Sequence, residues 1–177
     1  MMIKNAAVVG AGLMGAGIAR HMSNHGVTVT LVDNSEEQLA RASRGNHNQT
    51  LKYTSDMTAI SAADYVIEAV FEDLKVKRQV LSQIASVVSP NCLIASNTSS
   101  LLIGDLESAV AHPSRFIGVH YNNPADINPV VEVIPGDQTE ARYTDAILQW
   151  MKSAEKLAVK CKDTPCFILN RQSLPYI

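Results

Sequence analysis

The chain has 177 residues, of which 46% are hydrophobic, and a formal charge of −2. That length fits one domain with a full-sized core. The charge gives no basic bias toward nucleic acid or an anionic membrane surface as a partner. The first apolar run, Ile3 to Val9, is too short to span a bilayer and is broken by Lys4 and Asn5. It leads straight into a glycine-rich turn, so it reads as a strand and not as a signal peptide.

Gly10, Gly12 and Gly15 follow that strand in G-x-G-x-x-G spacing, and a helix-period run begins at Leu13. Gly10 suits the tight turn out of the strand, Gly12 lets a pyrophosphate approach the backbone, and Gly15 lets the helix lie close on the sheet. The helix then offers free N–H groups and the positive end of its dipole to phosphate. A second apolar strand, Val27 to Val32, ends in Asp33. This is about 20 residues past the loop, where an acid binds a ribose 2′-hydroxyl and repels a 2′-phosphate. Strand, loop, helix, strand and acid in this order point to a dinucleotide, with NAD favoured over NADP.

Further along, Ser35 is placed to cap a helix carrying Leu39 and Ala40, which Gly45 to Gln49 break. Leu51 to Thr54 reads as a short strand and Met57 to Ala62 as a small helix. Tyr65 to Val70 is an unalternating apolar run, as in a strand covered on both faces, with Glu68 inside it. Asp73 to Val88 has helical spacing; on it, Lys75 and Lys77 read as a solvated face. Cys92 to Ala95 is the next strand, followed by Ser96-Asn97-Thr98-Ser99-Ser100, one of which is expected to cap a helix near Leu101. Arg115 to His120 and Val130 to Ile134 are strands, Thr139 to Lys156 a long helix with Trp150 as a packing residue, and Leu157 to Cys161 a last strand. Phe167 to Asn170 starts another apolar element.

Strands alternating with helices predict an α/β fold, a Rossmann-like, doubly wound and mostly parallel sheet. Ligands of such sheets sit beyond the carboxyl ends of the strands. Asp33, Glu72, Ser96 to Ser100 and His120 all follow strand ends and are expected on one rim. Between His120 and Glu132, Pro124 and Pro129 enforce a non-helical excursion. Two strands running antiparallel around that loop would bring His120 opposite Glu132, and a carboxylate there would fix the imidazole tautomer. His120 is then a candidate general base, taking a proton from a substrate hydroxyl while hydride passes to a nicotinamide. His21, His25, His47 and His112 show no metal-ligand spacing, so no metal is expected. Cys92, Cys161 and Cys166, odd in number, read as free thiols of a reducing compartment, cytoplasm or an organelle matrix.

Taken together, the chain resembles the NAD-binding domain of the L-3-hydroxyacyl-CoA dehydrogenase family. The matching stretches are Val-Gly-Ala-Gly-Leu-Met-Gly-Ala-Gly-Ile-Ala from Val9, Val-Ile-Glu-Ala-Val-Phe-Glu-Asp-Leu-Lys-Val-Lys from Val66, and Ser-Asn-Thr-Ser-Ser from Ser96. Gly-Val-His-Tyr-Asn-Asn-Pro from Gly118, Val-Val-Glu-Val-Ile from Val130 and Lys-Asp-Thr-Pro-Cys-Phe-Ile-Leu-Asn-Arg from Lys162 complete the set. The resemblance implies NAD-dependent oxidation of a 3-hydroxyacyl thioester to the 3-keto form, as in fatty acid metabolism. It implies His120 as base and Glu132 as its partner, with Ser99 and Asn170 holding the substrate or orienting the histidine. Gly10, Gly12, Leu13, Met14, Gly15, Asp33, Glu72, Lys77, Ser99 and Asn123 would contact NAD.

Three departures qualify it. The segment between Asp33 and Asp64 lacks the longer helical hairpin whose residues contact CoA in the family. Cys166 stands in place of a glycine. The chain, residues 1–177, ends where the family's helical C-terminal domain begins, the domain that closes the substrate cleft and makes the homodimer, so a surface over residues 167–177 is expected to be uncovered. Two alternatives follow: a dehydrogenase of a smaller 3-hydroxy acid such as a sugar acid or carnitine, and a truncated NAD-binding module without turnover.

Overall fold

Alternation along the strands sets the layers. In the computed structural model, which describes residues 3–173, Ala6 and Val8 of β1 (Asn5–Val9) enter one apolar layer, while Ala7 and Val9 enter the other. The same division runs through β2 (Thr28–Val32), β4 (Tyr65–Glu68), β5 (Leu93–Ser96), β6 (Phe116–Tyr121) and β7 (Val130–Pro135), while β3 (Leu51–Thr54) and β8 (Leu157–Lys160) feed the first layer. Among the described residues these form one eight-stranded sheet in the order β3-β2-β1-β4-β5-β6-β7-β8. β1 to β6 are mutually parallel, β7 runs antiparallel to β6, and β8 is parallel to β7.

The helices are α1 (Leu13–Asn24), α2 (Glu36–Ser43), α3 (Leu74–Val87), α4 (Ile103–Glu107), α5 (Ala141–Ser153) and α6 (Leu169–Ser173). α1, α2 and α5 cover one face through residues such as Ile18, Leu39 and Ile147, and α3 and α4 cover the other through Leu81, Ile84 and Leu106. Leu81 and Ile84 are fully buried, and each such side chain stabilises by about 1.5–3 kcal/mol. Because β4 returns beside β1 on the side away from β2, the strand order reverses between β1 and β4, and ligand crevices open at such reversals.

Several element boundaries differ from expectation. β4 stops at Glu68; Ala69 N still reaches Val9 O, but Val70 N and O turn to the Glu68 carboxylate and the Lys77 ammonium. No member of the Ser96 to Ser100 cluster caps α4; its first N–H groups, on Ile103 and Gly104, donate to both carboxylate oxygens of Asp163 at 2.9 Å. α5 starts at Ala141, since the Thr139 hydroxyl bonds Gly136 N and Phe116 O instead. It ends at Ser153, where Glu155 takes a left-handed φ of 61° and the chain reverses into β8. Trp150 is partly buried and packs edge-on to His21, as a packing residue should.

No helix among the described residues is long and apolar enough to cross a membrane, and no group of His, Cys, Asp and Glu there is arranged to hold a metal. The expected uncovered surface lies at the end of the chain; residues 174–177 fall outside the described ones.

Candidate cofactor and active site

The glycine loop joins β1 to α1 at the strand reversal. Gly10 has a φ of 107°, and a Cβ there would lie 2.7 Å from Ala69 O; a Cβ on Gly15 would lie 1.8 Å from Gly10 O. Gly12 differs. A Cβ there meets nothing within 4 Å, so the protein's own packing does not require glycine at this position. The open space above Gly12 lies at the N-terminus of α1, which has no side-chain cap and no acid in its first turn. A dinucleotide pyrophosphate fits that combination of free N–H groups and open backbone. Leu13 and Met14 form the first turn, Leu13 72% exposed.

Asp33 is fixed by the loop it serves. Its Oδ2 accepts Ala11 N at 2.6 Å and its Oδ1 accepts Ser35 N at 2.8 Å. It lines a cavity of about 790 Å³ with Gly10, Gly12, Ser35, Val70 and Phe71. No cationic side chain lines this cavity, so a 2′-phosphate beside Asp33 would go uncompensated.

Beyond β4 lies a buried ionic cluster. Lys77 is 1% exposed, not part of a solvated face, because Glu68 draws its ammonium inward. Lys77 Nζ donates to Glu68 at 2.9 and 3.0 Å and to Val70 O at 3.2 Å, and pairs with Glu72 Oε2 at 3.2 Å. Its three N–H groups are thereby engaged, and a direct bond to NAD would need one released. Glu68 also accepts the Ser96 hydroxyl and Val70 N. Glu72 Oε1 accepts Ser99 N at 2.8 Å, Ser100 N and Ser100 Oγ at 3.0 Å, and the Thr98 hydroxyl. Partial burial pushes the Glu72 carboxyl up, but the Thr98 hydroxyl, Lys77 and the Ser99 amide outweigh it and hold the group below the usual range.

β6 and β7 pair antiparallel with His120 opposite Glu132. His120 Nδ1 lies 2.8 Å from Glu132 Oε2, both side chains being almost fully buried. Glu132 Oε1 accepts Ile168 N at 2.8 Å and Leu169 N at 3.1 Å. Burial pushes Glu132 up, and the His120 and amide hydrogen bonds reverse the shift, leaving it lowered. With Nδ1 bound to a carboxylate, the proton sits on Nδ1 and Nε2 is the nitrogen able to accept one. Asn170 Nδ2 donates to Ser99 O at 3.2 Å, joining α6 to the hydroxyl-rich loop. Asn97 Oδ1 accepts Tyr121 N at 2.9 Å, bracing the residue after His120. Asn123 is exposed on the β6–β7 excursion, and its peptide bond to Pro124 is cis. That excursion is held on α1, where Arg20 pairs with Asp126 at 3.0 Å and Ala125 packs on Gly17, and on the turn before β8, where Lys156 donates to Ala125 O and Asn128 O.

The model of the 3-hydroxyacyl-CoA dehydrogenase NAD-binding domain matches residues 5–52 and 41–164. The chain belongs to this family. It is 38% identical to the 3-hydroxyadipyl-CoA dehydrogenase of Escherichia coli K12 over 194 residues, covering 98% of this chain and 41% of that protein. It is 32% identical to the mitochondrial hydroxyacyl-coenzyme A dehydrogenase of Sus scrofa over 203 residues, covering all of this chain and 65% of that one. Among solved structures, the 5-formyl-3-hydroxy-2-methylpyridine 4-carboxylic acid 5-dehydrogenase, an NAD-dependent dismutase, superposes with a TM-score of 0.93 at 30% identity, covering 99% of this chain and 63% of that one. The chain thus spans less than two thirds of the length of each of these three proteins.

Two places at which the sequence was expected to depart from the family resemblance can be located in the structure. The family model matches it in two pieces that meet at residues 41–52. There α2 passes to β3 through a short irregular segment, with no helical hairpin. Cys166, where the family resemblance leads one to expect glycine, has the left-handed backbone that glycine favours, with φ of 62°, at a cost of about 1–2 kcal/mol. The structure also adds Lys156 and Asp163, which sequence reasoning passed over, the acceptance of Tyr121 N by Asn97, and the pairing of Lys77 with Glu68. Only the last left a usable signal, since a carboxylate within a strand covered on both faces needs a buried partner.

Proposed function

We propose that the protein containing this chain oxidises the hydroxyl of an L-3-hydroxyacyl-CoA to the 3-ketoacyl-CoA, in fatty acid metabolism, and that this chain is its NAD-binding domain, complemented by a helical domain. The observation that carries this is the buried His120–Glu132 pair on the sheet rim that also bears the dinucleotide loop. NAD supplies the hydride acceptor when bound. Gly10, Gly12, Leu13, Met14 and Gly15 hold its pyrophosphate and Asp33 its adenosine ribose; Glu72, Lys77, Ser99 and Asn123 serve the nicotinamide half. His120 Nε2 takes the hydroxyl proton as the C3 hydride departs, and Glu132 steadies the resulting imidazolium. The Ser99 hydroxyl and Asn170 orient the substrate oxygen. Turnover of 3-hydroxybutyryl-CoA against free 3-hydroxy acids tests this; no activity on any thioester would sink it.

A second substrate class, a smaller 3-hydroxy acid of sugar-acid or carnitine type, is supported by the missing hairpin and by the likeness to a dehydrogenase whose name gives a pyridine carboxylic acid. Preference for the free acid over the thioester in the same assay would select it. NAD binding without turnover is the outcome if this chain acts alone. For the complete protein we propose a homodimer, in the cytoplasm or an organelle matrix. The three free thiols and the mitochondrial relatives support the location; sedimentation of the complete protein tests the dimer.

A further inference from the structure

Glu68 has no part in the chemistry above, yet it is the most completely buried carboxylate near the cofactor cavity, with no exposed surface. Withdrawing a carboxylate and an ammonium from water costs several kcal/mol each, and a pair of apolar side chains is often as stable. Stability alone is therefore a weak reason for this pair. What the pair holds suggests another. Glu68 Oε2 accepts Val70 N at 3.1 Å, and Lys77 Nζ donates to Val70 O at 3.2 Å, so both peptide groups flanking Val70 are tied to one ion pair. Ala69, Val70 and Phe71 line the cofactor cavity, and Ala69 O is the atom Gly10 packs against. On its other side Lys77 reaches Glu72, the carboxylate that gathers the Ser99 and Ser100 amides.

We propose that Glu68 is a positioning residue for NAD, acting through Lys77. It fixes the Ala69–Phe71 wall of the cavity and leaves Lys77 only one N–H for Glu72, so that Glu72 and the Ser99 loop are presented to the nicotinamide half. With the Glu68 charge removed, Lys77 turns toward Glu72, and the ammonium's tie to Val70 O is lost. The proposal rests on the cofactor role given to Glu72 above.

NADH affinity, read by fluorescence titration of the full-length protein, tests it. Glu68→Gln should raise the dissociation constant about tenfold or more, the scale of one charge-assisted hydrogen bond. The double variant E68Q/K77M removes both charges and should recover the melting temperature but not the affinity. Recovery of both would make the pair merely structural and overturn the proposal, as would an E68Q protein within twofold of the parent. If E68Q does not fold, parental affinity in the double variant still overturns the proposal, and Glu68→Asp, which leaves Lys77 in place, supports it by a tenfold weakening and overturns it by parental affinity. Glu72→Gln, titrated alongside, separates the two levels. Weakening in E72Q without weakening in E68Q rejects the role of Glu68 only, and no weakening in E72Q rejects the role of Glu72 and the proposal with it.

Discussion

Glu132 grips His120 with one carboxylate oxygen and the amides of Ile168 and Leu169 with the other. The side chain that sets the imidazole tautomer is thus also an anchor of the segment entering α6.

Glu132→Gln separates these duties. The amide oxygen can still accept from the α6 segment, but its NH₂ would donate to Nδ1 and place the imidazole proton on Nε2, the wrong nitrogen for a base. Turnover by the complete enzyme should fall by at least about 10², as should that of His120→Gln, the scale of general base catalysis. NADH affinity should hold in both. Parental turnover in either variant would leave the pair a structural one.

The glycines make an internally controlled pair. Gly12 has φ −66° and ψ −174°, a conformation open to alanine, and no protein atom opposes a Cβ there. Gly12→Ala should keep the melting temperature while weakening NADH binding about tenfold or more. Gly15→Ala drives a Cβ into Gly10 O and should destabilise the fold by about 1–3 kcal/mol or more. Calorimetry with NADH titration checks both; equal loss of stability in the two would refute the assignment of the open space to the pyrophosphate.

Asp33→Asn removes the charge that repels a 2′-phosphate. It also weakens a bond to Ala11 or Ser35, so the ratio of NADPH to NADH affinity is the quantity to measure. That ratio should rise about tenfold. An unchanged ratio would place cofactor choice elsewhere.

Acid sensitivity is predicted from His21, whose Nε2 bonds Ala154 O and whose ring lies among Tyr121, Trp150 and His25. Burial lowers its pKa from 6.5 to about 4; the Ala154 carbonyl and Asp126 oppose the shift, and Lys156 and His25 add to it. The folded state therefore keeps the ring neutral while the unfolded chain protonates it below about 6.5. Stability is lost as pH falls from about 6.5 to about 4, by at most about 3 kcal/mol and less where solvent screens the ring. Urea denaturation at pH 7 and pH 4.5 should show a smaller drop for His21→Gln than for the parent; identical drops would assign the effect to other groups.

The strand–loop–helix unit, Asp33 and the His120–Glu132 pairing were legible because each rests on local periodicity, or on one loop joining two adjacent strands. Lys77 was not. Its helix spacing is compatible with solvent, and its burial depends on Glu68, which only the packing of α3 on β4 brings within reach. The α4 cap failed for the same reason. Local hydroxyls at Ser96 to Ser100 were the obvious acceptors, yet Asp163, remote in the chain, fills that place, while Glu72 takes up the local loop. Propensity describes which groups need partners; the fold decides which remote groups supply them.

The excursion carrying Asn123 is tied to α1 by Arg20–Asp126 and by Ala125 on Gly17, and to the turn before β8 by Lys156 beneath its carbonyls. α1 and the loop that follows His120 are thus joined side by side, and a displacement of one is expected to carry the other. On the other side of the sheet rim, α6 reaches the hydroxyl-rich loop through the 3.2 Å bond from Asn170 to Ser99 O, so a shift of α6 alters that loop and leaves the excursion on α1 untouched.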